Sequence, residues 1–189
     1  MKKILYLFIL PVFFACHQNN VIPKPKALLS LEYPTHTYQL DTFPHFIFEK
    51  SVWAQTERIS DQKINLNYPQ MKAKVYLTYK PVKHNLIALL RDAEKFTYEH
   101  TVKADEIITR DFVNPKKRVY ATLNYVTGNA ASQVQFHITD SLHHFVDGSL
   151  YFYALPNYDS IMPAVKYLEK DINHLLETFT WKNNSKVKN

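Results

Sequence analysis

Glycine is nearly absent from this 189-residue chain, which holds only Gly128 and Gly148. Phosphate-cradling loops and dinucleotide fingerprints need several closely spaced glycines so that backbone can approach the ligand. Both are excluded. Cysteine is rarer still: with Cys16 alone, no disulfide can form within the chain. Apolar runs are short. Ile4 to Phe14 spans eleven residues, against about 20 for a membrane-crossing helix. Surplus charge is missing where nucleic acid would require it. The formal net charge is +6, but Lys2, Lys3, Lys24, Lys26, Lys182, Lys186 and Lys188 sit at the two ends. From 28 to 181, sixteen basic residues face seventeen acidic ones. Nucleic-acid binding needs cations clustered on the folded surface, so no nucleic-acid partner is expected. The short run Lys116, Lys117, Arg118 reads as a solvated loop after Pro115.

What is present is greasy and aromatic. Hydrophobic residues make up 46% of the chain and aromatics 14%. That composition excludes a disordered protein and suffices for one domain with a real core.

The first thirty residues read as an address. Lys2 and Lys3 precede the apolar run of Ile4 to Phe14, which is the layout of a signal peptide. Phe13, Phe14, Ala15 and Cys16 then resemble a bacterial lipobox: the small residue permits cleavage, and the thiol accepts a diacylglycerol. Phe13 departs from the Leu usual there. Lipidation also removes a leftover thiol that would be prone to stray pairing. Residues 1–15 are therefore expected to be a lipoprotein signal peptide and 16–27 a lipid-anchored tether. Pro23 and Pro25 favour extended backbone at about 3.1 Å per residue, so the tether reaches roughly 30 Å. Residues 28–182 form one globular domain, and 183–189 a polar tail. No acidic cluster follows Cys16, and His17 is not the Asp that retains some lipoproteins at the inner membrane. A periplasm-facing domain in the cell envelope is expected, with inner and outer membrane both open.

Within the domain, Leu28 to Tyr33 and His45 to Glu49 read as short strands. Ile64, Leu66 and Tyr68 alternate. Ala73, Val75, Leu77 and Tyr79 alternate against Lys72, Lys74, Tyr76, Thr78 and Lys80, the period of a half-buried antiparallel strand. After Pro81 the period changes. Leu86, Ile87, Leu89, Leu90, Ala93 and Phe96 fit an amphipathic helix with Asn85 as N-cap, running to about Lys103. Val119 to Tyr125 and Val134 to Ile138 alternate on either side of a turn, TGNAAS, whose Gly-Asn pair suits positive φ. A strand of aromatics spans 150 to 155. The last helix has Asp159 or Ser160 as cap and Pro163 in its first turn, with Val165, Leu168, Ile172, Leu175 and Leu176 on one stripe. This order predicts an α+β fold, an antiparallel sheet packed with helices. It is similar to the PsbP-like α/β/α sandwich.

Candidate chemistry is sparse. His137, Asp140, His143 and His144 fall within eight residues, but a zinc site needs ligands converging at about 2 Å. His137 alternates with Phe136 and Ile138, and His143 and His144 point opposite ways if extended. Two or three ligands at best could meet, so no metal and no cofactor is expected; a metal-binding or enzymatic domain built on these histidines is the alternative. Ser132, His137 and Asp140 have the residue types of a hydrolase triad but crowd into one hairpin without a nucleophile elbow. Glu94 and Glu99 do not converge on a helix. Catalytic residues are therefore not expected. Tyr151 and Tyr153 share one side of their strand. They read as core, or as a partner-binding surface if no helix covers them. The turn Gly128, Asn129, Ala130, Ala131, Ser132 is the second candidate contact, because loops at sheet tips carry recognition.

Six stretches carry a family resemblance: IPKPKALLSLEYP (22 to 34), AKVYLTYKPV (73 to 82), YEHTVKADEI (98 to 107), GNAASQVQFHITDS (128 to 141), HFVDGSLYF (144 to 152) and KDINHLLETFTWK (170 to 182). Lying in order over nearly the whole mature chain, they resemble the gliding-motility lipoprotein GldD family. Gln133 departs from the Pro more often found after GNAAS, which opens a ladder bond and a less rigid turn. The resemblance implies a component of gliding motility and of the type IX secretion machinery of Bacteroidetes. Its implied partners are the membrane, through the lipid, and other gliding or secretion envelope proteins. It implies no reaction, cofactor or catalytic residue.

Overall fold

The computed structural model describes residues 32–99, 104–153 and 157–182. The expected signal peptide, the expected lipid-bearing Cys16 and tether, and the expected polar tail lie outside them. The fold is α+β, with antiparallel sheets packed against helices. A small sheet contains β1 (Tyr38–Thr42), β2 (Phe46–Ser51) and β10 (Thr180–Trp181), with β2 in the middle. A seven-stranded sheet is ordered β3 (Gln55–Arg58), β4 (Lys63–Tyr68), β5 (Ala73–Pro81), β9 (His144–Phe152), β8 (Ser132–Thr139), β7 (Val119–Gly128) and β6 (Ala104–Asn114).

Alternation decides which face is core. Ala73, Val75, Leu77 and Tyr79 of β5, Val119, Ala121 and Leu123 of β7, and Val134, Phe136 and Ile138 of β8 are all buried on one side. Against that side lie the small sheet and α2 (Tyr158–Thr178), through Val165, Leu168, Ile172, Leu175 and Leu176. Phe43, Phe46, Phe48 and Phe179 fill the middle, with Phe46 and Phe179 stacked at 5.1 Å. Each such buried ring contributes about 1.5–3 kcal/mol.

The other face belongs to α1 (Leu86–Glu99). From β5 the chain must reach β6, four strands away at the far edge, which is about 19 Å at 4.8 Å per strand. A helix of 14 residues covers about 21 Å, so α1 serves as the crossing. It leaves β5 beside Pro81, which pairs with His144, and delivers the chain to Ala104, which pairs with Gly128 at the opposite end of the sheet. The crossing is therefore diagonal. Among the described residues, α1 does not run over the corner where the first half of β5 meets the second half of β9.

Several expectations need correction. Glu32 and Tyr33 are not in a strand; Tyr33 instead stacks on Tyr167 of α2 at 5.1 Å. The first helix ends at Glu99 among the described residues, and 100–103 lie outside them. Its Ile87 is 70% exposed, because a lone helix over a polar face has no second apolar layer to meet. Asn85 does hold the cap position, its carbonyl accepting from Leu89 N at 3.1 Å, but its side chain turns back to Lys83 N at 2.7 Å. The aromatic strand begins at His144, six residues earlier than read, and Ala154 and Leu155 lie outside the described residues. α2 is capped by Asn157, so Pro163 falls inside the helix and not in its first turn. The basic turn is not merely solvated. Lys117 Nζ donates to the carbonyls of Glu177 and Thr178 at 3.2 and 3.4 Å, where the negative end of the α2 dipole favours a cation.

Candidate functional site

The two segments expected to make contacts differ in kind. The turn after β7 is largely structural. Gly128 has φ of +90° and is where the chain departs from β7. Asn129 Oδ1 accepts from Tyr158 N at 3.0 Å and so satisfies one of the orphan donors at the start of α2. Ala130 is buried, and Ser132 Oγ donates to Leu150 O at 2.9 Å. Gln133 sits in the bulge between Ser132 and Val134. Its carboxamide donates to Ala130 O at 2.7 Å, which ties the turn together instead of loosening it. Asn129 and Ala131 are the exposed members.

The tyrosines are not core. Tyr153 is 56% exposed and Tyr151 half-buried. Both lie at the corner that α1 leaves open. A third ring joins them from β5: Tyr76 meets Tyr151 edge to face at 5.6 Å, and its hydroxyl is hydrogen-bonded to that of Tyr153. Lys74 Nζ lies 5.7 Å from the Tyr153 ring and 3.0 Å from Glu57 Oε2. The result is an amphipathic patch of three rings with a charged margin.

From Tyr76 the same face descends beneath α1 into a cavity of about 350 Å³. Its floor is a stripe of polar side chains, Thr78, Asn124, Gln135, His137, Asp147 and Ser149; Asp92, Ala93, Phe96 and Thr97 of α1 form its roof. Lys80 and Asp147 are ion-paired across the neighbouring strands β5 and β9. Burial still pushes the Asp147 carboxyl above its ordinary range, with Lys80 opposing.

The histidines do not assemble. His137 stacks on Phe145 at 5.5 Å on the α1 face. His144 lies on the core face, stacked on Trp181 at 5.0 Å and 2.9 Å from Tyr79 Oη. The His143 side chain is 73% exposed in the intervening turn. Among the described residues, no three His, Cys, Asp or Glu side chains group as metal ligands. Asp140 does not orient His137; its Oδ1 accepts the backbone N–H groups of Leu142, His143 and His144 at 2.7–2.9 Å.

Burial pushes the pKa of His137 below 6.5, with Asp147, Glu94 and Asp111 opposing. Its folded-state value therefore lies below its unfolded one. Stability from this group is full above pH 6.5 and is lost as pH falls below that value, by no more than about 1.4 kcal/mol per pH unit. Urea midpoints measured from pH 8 to 5 are expected to fall on the acid side, and His137→Gln should flatten that fall. An unchanged acid slope in the variant would remove His137 from the account.

Sequence reasoning missed Tyr76, Asn124 and Gln135. A signal was available. Gln133, Gln135 and His137 alternate with Val134, Phe136 and Ile138, a polar stripe with a period of two that needs a polar neighbour.

Comparison with known families gives one result. The profile of the family described as gliding motility lipoprotein GldD matches residues 18–181. No curated protein matches the chain. Among the described residues no helix is long and apolar enough to cross a membrane.

Proposed function

The chain belongs to the gliding motility lipoprotein GldD family, and from that premise we propose that it is a non-catalytic assembly component of the gliding and type IX secretion machinery. The lipid on Cys16 holds it to the envelope membrane, residues 16–27 set its reach, and the folded domain faces the periplasm. Its partner is another envelope protein of that machinery, contacted through Tyr151 and Tyr153 and through the exposed part of the turn at Asn129 and Ala131.

The observation that carries this reading is the open tyrosine corner. Tyrosine offers a large contact area at small entropic cost and is enriched at protein interfaces. Of these rings Tyr153 stands 56% exposed, and Tyr151 and Tyr76 are half-buried beside it. The scattered histidines and the hydroxyl of Ser132, spent on a carbonyl, support the non-catalytic part.

The test places a photoreactive residue at Tyr153, and in a second strain at Ala131, in living cells. Covalent adducts with one envelope protein are expected at Tyr153. With the probe at position 153, Tyr151→Ala should weaken the adduct, and Tyr151→Ala combined with Tyr153→Ala should abolish gliding while leaving membrane attachment unchanged and the domain folded. Normal gliding by that double variant would refute the docking role.

A further inference from the structure

The cavity beneath α1 contains one side chain that is unsatisfied at both polar atoms. Gln135 is 3% exposed, and neither its amide oxygen nor its amide nitrogen has a hydrogen-bond partner within the protein. Buried carboxamides are rarely left so, because an unmet donor and an unmet acceptor each carry a desolvation cost. Gln135 lines the 350 Å³ space, which is at the small end of ligand pockets, about 300–1,000 Å³.

The surroundings restrict what fits. Lys80, the cation among the lining residues, is held by Asp147. Asp92 adds a further carboxylate from the roof, and burial keeps His137 toward its neutral form. Two carboxylates against one paired lysine disfavour an anion. Thr78, Asn124 and Ser149 supply neutral donors and acceptors. An amide aimed inward, both of whose atoms need partners, is best met by a second amide. Tyr76, the ring that touches Tyr151 and Tyr153, also lines the cavity. Aromatic rings accept the apolar faces of sugar rings by the same contacts that pack any ring against carbon.

We propose that this cavity binds one unit of an uncharged sugar bearing an acetamido group, whose amide pairs with Gln135 while its hydroxyls meet Thr78, Asn124 and Ser149. A following unit would leave past Tyr76 over the tyrosine corner. The assignment stands independently of protein docking at that corner.

The test uses the full chain in detergent with N-acetylglucosamine as probe and glucose and glucosamine as controls. N-acetylglucosamine at millimolar concentration should raise the thermal midpoint saturably, and neither control should match it. Gln135→Met should weaken binding at least about tenfold, as expected for a lost hydrogen-bond pair. It should also raise the midpoint of the ligand-free chain, because an unmet buried amide is gone. A structural role for Gln135 would lower that midpoint instead. If Gln135→Met does not fold, Thr78→Val reads the same binding loss. No saturable response to N-acetylglucosamine, equal binding of glucose, or undiminished binding in the variants would each overturn the proposal.

Discussion

Gly148→Ala is expected to cost this domain about 3 kcal/mol, the upper end of what overpacking a core commonly costs, although alanine is the smallest side chain that can be added. Gly148 pairs with Phe136 across β8 and β9. A Cβ on residue 148 would stand 2.1 Å from Phe136 Cζ and 2.3 and 2.5 Å from its two Cε atoms. Phe136 is 4% exposed and packed in the core cluster, so its ring yields only by displacing its neighbours. Gly148 shows no positive φ, so the requirement is for space and not for backbone freedom. Here an aromatic residue fills the place that a glycine leaves in the sheet. The claim is checked by a double-mutant cycle: Phe136→Leu alone leaves a gap and destabilises, but in the Gly148→Ala background it should recover at least half of the loss. Contacting residues are where such non-additivity belongs. If the two changes simply add, the ring and the glycine are not coupled. The same cycle explains why a chain so poor in glycine keeps one in the middle of a strand, where glycine is otherwise unfavourable.

How much of the fold was legible follows from where each strand lies. β2, β4, β5, β7, β8 and β9 all have neighbours on both sides, and each shows at least part of its span in the sequence pattern. β1, β3, β6 and β10, the four that the pattern does not reveal, are the edges of the two sheets. Interior strands bury one face fully and so display alternation. Edge strands do not have to. β6 runs ADEIITRDFVN with both faces largely in solvent, and its Asp105, Glu106, Arg110 and Asp111 suit an edge that must not pair with another chain. β3, QTER, and the two-residue β10 are too short and polar to show any period. β1 lies against β2 alone and is exposed at Leu40.

The candidate site was legible to a lesser degree, for a related reason. That Tyr151 and Tyr153 share a side follows from the strand period. That Tyr76 joins them depends on the register of β5 against β9, which sets Tyr76 opposite Ser149 and Lys74 opposite Tyr151. No local pattern specifies that pairing; it is set by which strands become neighbours. The buried state of Gln135 was hidden in the same way, because a polar stripe on a strand looks solvent-facing until a crossing helix is placed over it. The path of α1 thus creates both features at once, a covered polar cavity beneath it and an aromatic corner beside it.

Cys16→Ser is expected to change localisation completely and stability not at all. Each buried CH₂ of an acyl chain contributes about 0.8 kcal/mol, so two or more chains hold a protein at a bilayer stably. Serine cannot take the thioether-linked diacylglycerol, and little else in the chain can replace it. The segment 28–181 carries sixteen basic and seventeen acidic residues, too even a balance for attraction to anionic lipid. Among the described residues no helix is long and apolar enough to cross a membrane. An uncleaved Ile4 to Phe14 run would leave eleven apolar residues, about half of a spanning helix. An alkaline wash should therefore release the variant while the wild-type chain stays in the pellet. The thermal midpoint should not move, because among the described residues the core that sets it begins at Tyr33 and Phe43. On the proposed function, gliding should be lost with attachment. A variant that resists the wash, or wild-type protein whose mature amino terminus carries a bare thiol by mass spectrometry, would remove the lipid from the mechanism and leave the tyrosine corner to explain localisation alone.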